Sequence, residues 1–271
     1  MKVLLAAALA GALAIAPAGC TTSTTGEVLP LPSTGRVDYQ LGGAYTPPAD
    51  VSVVARDSTD PALAGVYSIC YLNGFQTQPQ QAEFWLDQHP DLVLRDENGE
   101  PQVDENWPDE MGLNTSTPDS RAQLALILGE WIEGCRTSGF QAVEFDNLDS
   151  YSRFDGLTLE HNVTFATLLV AKAHAAGLAA GQKNTSELGN RGRDEIGFDF
   201  VISEECFVYD ECRVYSDVYG DQFIDIEYET DDPTALDGLC DDPEIPFLTI
   251  VRDLALSPGT DPDSVFWSCG T

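Results

Sequence analysis

Within Glu144-Phe145-Asp146-Asn147-Leu148-Asp149-Ser150-Tyr151, three carboxyl groups, an amide and a phenol fall inside eight residues. The preceding Phe140-Gln141-Ala142-Val143 alternates like a short buried strand. A strand that runs into a burst of carboxylates suits the mouth of a β/α barrel, where strand ends carry the chemistry. A solvated acidic turn after a core strand would read the same way, so the rest of the chain has to decide.

Other apolar runs end in polar groups too. Val51–Ala55 ends at Arg56-Asp57, and Val66–Tyr71 at Leu72-Asn73-Gly74. Leu178–Gln182 ends at Lys183-Asn184, and Phe198–Ile202 at Ser203-Glu204-Glu205-Cys206. Phe223–Ile226 ends at Glu227-Tyr228, and Phe247–Val251 at Arg252-Asp253. No G-x-S-x-G elbow is present, and His89, His161 and His174 avoid the strand ends. Carboxylates, amides, tyrosines and one lysine remain. That set suits gripping sugar hydroxyls and cleaving a glycosidic bond with two carboxyl groups, one protonating the leaving oxygen and one meeting the oxocarbenium-like centre. Asp57, Glu144, Asp146, Asp149, Glu204, Glu205, Glu227 and Asp253 are the candidates, and side-chain chemistry alone does not choose among them.

With Val37–Leu41 and the 140–146 segment, these runs make eight strand candidates. Arg121–Arg136 and Leu159–Ala176 read as amphipathic helices, the first capped by Asp119 or Ser120 and the second stopped by Gly177. Residues 78–118 read as a polar, proline-rich insertion at the barrel mouth, with Phe84 and Trp85 in a helix. Eight strands with helical crossovers predict an α/β fold, a single-domain (β/α)8 TIM barrel over residues 37–271. A doubly wound open sheet is the alternative, but no glycine-rich phosphate loop follows the first strand.

Thirteen basic residues against 45 acidic ones give a net charge of −32. Such a surface repels nucleic acid and anionic membranes and attracts polycations. Adaptation to salt predicts the same charge. Residues 1–19 read as an export signal of lipoprotein type, with Cys20 the candidate lipidation site and residues 20–36 a flexible tether. Pro17 stands where such signals prefer an aliphatic residue, and cleavage without lipidation is the alternative. A membrane is reached only through that anchor. Six further cysteines in an exported chain suggest three disulfides. Proximity pairs Cys206 with Cys212 and Cys240 with Cys269, leaving Cys70 with Cys135. Without a CxxC pair or a histidine cluster, no metal is expected.

The blocks Glu144–Tyr151, Gln182-Lys183-Asn184 and Ser203–Cys212 together resemble glycoside hydrolase family 114, the endo-α-1,4-polygalactosaminidase-type TIM barrels. The resemblance extends to Tyr39-Gln40-Leu41, Cys70-Tyr71, Glu227-Tyr228 and Val251–Leu254, in the family's order. It implies cofactor-free hydrolysis inside α-1,4-linked galactosamine polymers, with retention. By position it makes Asp146 the nucleophile and Glu204 the acid/base. Substrate contacts are then expected from Gln40, Asp57, Tyr71, Glu144, Asn147, Tyr151, Lys183, Asn184, Glu227, Tyr228, Arg252 and Asp253. The implied partner is a cationic amino-sugar polysaccharide and the expected state a monomer. The segments after Cys70-Tyr71 and around Asn106–Asn114 depart from the family pattern, so the sugar recognised can differ. A barrel that binds carbohydrate without turnover would display the same mouth.

Overall fold

A computed structural model describes residues 28–232 and 234–269. Eight parallel strands run in chain order around a barrel: β1 Arg36–Gln40, β2 Val51–Asp57, β3 Tyr67–Asn73, β4 Ala142–Asp146, β5 Ala179–Lys183, β6 Phe200–Glu204, β7 Phe223–Tyr228 and β8 Leu248–Arg252. All eight strand expectations correspond to strands, and the predicted TIM-barrel class stands. Helix α1 (Ala82–Gln88) and helix α2 (Pro118–Thr137) lie between β3 and β4, α3 (Leu159–Ala176) between β4 and β5, and α4 (Cys212–Tyr219) between β6 and β7. Thr117, rather than Asp119 or Ser120, caps α2, its hydroxyl accepting the Ser120 amide at 3.1 Å. Thr158 caps α3, and Gly177 ends it at φ +77° as expected.

Alternation along the strands sorts two cores. Val37, Tyr39, Val53, Ala55, Ile69, Ala142, Phe200, Ile202, Ile224, Ile226 and Ile250 fill the lumen. The intervening residues meet the helices in a second cluster that includes Leu124, Leu128, Val143, Phe145, Phe165 and Val201. Gly181 sits on the lumen face of β5, where an added Cβ would meet the Phe200 ring at 2.5 Å. Its missing side chain is what lets Phe200 plug the barrel beneath Lys183.

The eight-strand pattern leaves one closure unexplained. Among the described residues β1 and β8 touch without forming a ladder. Arg252, fully buried on β8, bridges them instead. Its Nη1 donates to Asp38 Oδ1 at 3.2 Å and to the Tyr39 carbonyl. A short ninth strand, β9 (Phe266–Ser268), adds antiparallel to β8, and Phe266 packs under Arg36 with the guanidinium 4.8 Å from its ring centre. Cys240–Cys269 secures this end, Cys70–Cys135 ties β3 to α2, and Cys206–Cys212 closes the loop after β6, which are the three expected pairings. The 78–118 excursion is more than a rim insertion. Trp85, Leu92, Val93, Met111 and Leu113 bury into the helix-side core. The signal segment, Cys20 and the start of the tether lie outside the described residues. Among those described, no helix is long and apolar enough to cross a membrane.

Candidate active site

Three consecutive strands end in the three central groups. Asp146 is the last residue of β4, Lys183 of β5 and Glu204 of β6. The chain turns sharply after each, with Asn147 at φ +62°, Asn184 at +48° and Glu205 at +58°. Asparagine tolerates that left-handed region; glutamate does so at a cost in strain. The turn at Glu205 leaves only Glu204 of this acidic pair on the cleft lining.

Lys183 is almost fully buried, and its ammonium lies 3.2 Å from Glu204 Oε2, 3.8 Å from Asp146 Oδ1 and 3.5 Å from Glu144 Oε1. Burial pulls its proton affinity down, but Asp146, Glu204 and Glu144 together outweigh that and hold it well above an ordinary lysine. Asp146 and Glu204 each also have a phenol. Tyr71 donates to Asp146 Oδ2 at 2.6 Å, and Tyr228 donates to Glu204 Oε1. Burial, followed by the neighbouring carboxylate, pushes both phenols up, so they remain donors. Asn184 Nδ2 reaches Glu204 Oε2 at 3.0 Å while its Oδ1 accepts the Glu204 amide at 2.8 Å. The Asn147 amide donates to Asp146 Oδ1 at 2.7 Å.

Glu144 lies one layer down the same face of β4 and is sealed from solvent. Tyr39 donates to its Oε1 at 2.5 Å, and its Oε2 has no partner. Burial raises its pKa to about 7 despite Lys183. It supports the floor rather than touching a ligand. Above it opens a cleft of about 630 Å³, lined by Asp57, Tyr71, Asp146, Asn147, Lys183, Asn184, Glu204 and Tyr228 among others.

The remaining expected substrate contacts lie elsewhere. Gln40 is buried in a cluster beside the barrel seam, accepting from Arg56 at 2.9 Å and donating to Asp38 at 2.8 Å. Arg252 closes that seam, and Asp253 accepts the Ser257 and Val265 amides in the β8–β9 connection. Tyr151 bonds Glu187 at the rim. Glu227 faces away from the lumen and accepts the Phe207 amide at 2.7 Å. Its second oxygen and Asp225 Oδ2 are buried without other partners. Burial pushes both carboxyls up, and one proton shared between them would satisfy both orphaned oxygens. The pair holds the disulfide-closed loop from outside the barrel.

Sequence reasoning passed over Tyr39, Asn73, Trp107, Glu110 and Arg153. Tyr39 was recoverable, since it shares parity with the buried Val37 and Gln40 does not. Asn73 accepts from Asn147 Nδ2 at 3.0 Å and donates to Glu110 at 2.9 Å. Arg153 donates to Asn147 Oδ1 at 2.7 Å and pairs with Asp104 at 2.9 Å. These contacts tie the excursion to the Asp146 turn and follow no local pattern.

A TIM barrel whose mouth holds two carboxylates around a shared ammonium, with phenols and amides beside them, belongs with the sugar-cleaving barrels. The match to Glycoside-hydrolase family GH114 spans residues 19–271, and the chain belongs to that family and is a glycoside hydrolase. Ega3 from Aspergillus fumigatus, solved in complex with galactosamine, superposes with TM-score 0.69 at 20% identity over 87% of this chain and 97% of that one. The glycoside hydrolase domain of PelA from Pseudomonas aeruginosa superposes with TM-score 0.54 at 16% identity, covering 83% and 96%. At these identities the two structures are alike in fold. No curated protein sequence matches the chain.

Proposed function

We propose that this protein is an endo-acting, retaining glycosidase that cleaves α-1,4-linked galactosamine-containing polysaccharide, with Asp146 as nucleophile and Glu204 as acid/base. The observation that carries the reading is the single Lys183 ammonium contacting both carboxylates, at 3.2 and 3.8 Å. Those two oxygens are therefore separated by no more than the sum of the two distances. That bound on one oxygen pair is compatible with the ~5–5.5 Å carboxyl spacing of retaining enzymes, which supports the double-displacement reading.

In the first step the Asp146 carboxylate attacks the anomeric carbon while Glu204 gives its proton to the departing glycosidic oxygen. In the second, Glu204 takes a proton from water, and the resulting hydroxide displaces Asp146 from the anomeric carbon. Tyr71 and Asn147 hold Asp146 at both oxygens, so its angle of attack is set before substrate arrives. Tyr228 and Asn184 do the same for Glu204. Lys183, fixed by Glu144 and facing the Tyr39 ring at 5.5 Å, keeps both groups aimed at one point.

Galactosamine as the sugar is supported by family membership, by the galactosamine carried in the Ega3 structure and by the excess of cleft acids. Opposite charge on a deacetylated polymer would speed encounter and favour binding. The leader and the three disulfides support export, with lipidation at Cys20. The test is oligosaccharide release from partially deacetylated α-1,4-galactosamine polymer by the parent, Asp146→Asn and Glu204→Gln. Product from the parent alone is expected. Equal product from all three would remove the assigned pair, and polymer binding without product would favour a silent carbohydrate-binding barrel.

A further inference from the structure

We infer that Trp107 is the stacking platform of a sugar subsite for a cationic hexosamine ring, on the wall contributed by the 78–118 excursion. Trp85 and Trp131 of this protein pack into the core, whereas Trp107 is 59% exposed and lines the catalytic cleft. An exposed indole on a slack loop would fold back onto apolar surface. Here the loop is braced. Asp104, 2% exposed, accepts the Asn106 and Trp107 amides at 2.9 and 3.3 Å and pairs with Arg153 at 2.9 Å. The Trp107 carbonyl accepts the Glu110 amide at 2.8 Å. Glu110 in turn receives Asn73 at 2.9 Å and Gln76 at 3.0 Å.

Pro108 restricts Trp107 to extended backbone. The backbone that carries the indole is thus held in place before any ligand arrives, which lowers the ordering cost of binding. Through Arg153 and Asn73 the loop also reaches Asn147, the residue after the nucleophile, so the platform is in fixed register with the chemistry.

The chemistry of the wall selects the ring. An indole face attracts cations as well as the apolar face of a pyranose. Asp57, Asp60 and Glu110 line the same cleft and supply carboxyl groups for an ammonium. A free 2-amino sugar meets both features, whereas an N-acetylated one loses the charge that both attract. The inference rests on the glycosidase reading of this cleft.

The experiment measures calorimetric binding of a deacetylated α-1,4-galactosamine hexamer and of its fully N-acetylated counterpart. It uses the full chain carrying Asp146→Asn to stop turnover, with and without Trp107→Ala or Trp107→Phe. Trp107→Ala is expected to weaken the deacetylated hexamer about tenfold, within the range of a partly desolvated cation–π contact. Trp107→Phe should retain most of the affinity yet abolish the change in tryptophan emission on binding. Hexamer affinity and emission change unaltered by both substitutions would overturn the platform while leaving the cleft as the binding site. Tighter binding of the N-acetylated hexamer would overturn the ammonium preference. A hexamer that binds no form of the protein would sink the galactosamine-polymer reading of the cleft and the subsite with it.

Discussion

Replacing Glu144 with glutamine removes a titration that is sealed beneath the cleft floor. The carboxyl is fully buried and faces Lys183, Tyr39, Asp146 and Glu204. Folding raises its pKa from the ordinary 4.5 to about 7, chiefly through burial. The folded state therefore binds more protons than the unfolded state between those values. The group's contribution is fully present below pH 4.5 and is lost as pH rises towards 7. The loss corresponds to about 3 kcal/mol. Glutamine keeps the shape and still accepts from Tyr39 through Oε1, but it does not titrate. Relative to the parent, Glu144→Gln should thus gain about 3 kcal/mol of stability between pH 4.5 and pH 8. Urea unfolding of both proteins across that range measures it directly, because the midpoints can be compared at a common slope. A stability difference that stays constant from pH 4.5 to 8 would refute the reasoning.

Lys183→Met leaves three carboxyl groups around an empty centre. It should abolish polymer cleavage and cost about 3–5 kcal/mol near pH 8, since breaking a buried ion pair strands its charged partners. That cost should shrink in acid, where protons replace the missing cation, and thermal melts at pH 5 and 8 check both the size and the trend. Glu227→Ala removes the partner of buried Asp225 and should cost about 1–3 kcal/mol. Glu227→Gln, whose amide can donate to Asp225 where a shared proton would lie, should stay near parental stability at neutral pH. Equal losses in the alanine and glutamine variants would contradict the shared proton.

Much of the barrel was legible in the sequence because parallel barrel strands are buried on both faces and end in polar residues. Asp146, Lys183 and Glu204 were visible as strand-end groups for that reason, but Asp146 and Glu204 were singled out from eight carboxyl candidates by the family resemblance and not by the pattern. Side-chain parity at the ends of strands was harder to read. Glu227 and Tyr228 are adjacent, yet only the tyrosine faces the lumen, and a two-residue motif does not say which one does. Gln40 was selected over Tyr39 by the same ambiguity. The roles of Arg252 and Asp253 depend on β9, a strand of only three residues, and on a seam between chain ends more than 200 positions apart. Trp107, Glu110 and Arg153 reach the site through long-range hydrogen bonds that leave no periodic signal.

The central claim is that Asp146 and Glu204, aligned on one lysine, hydrolyse the polymer by double displacement. Proton NMR of the first product released from α-1,4-galactosamine polymer tests it most directly. The account predicts that the α-anomer appears first and then mutarotates. Initial release of the β-anomer would contradict the double displacement.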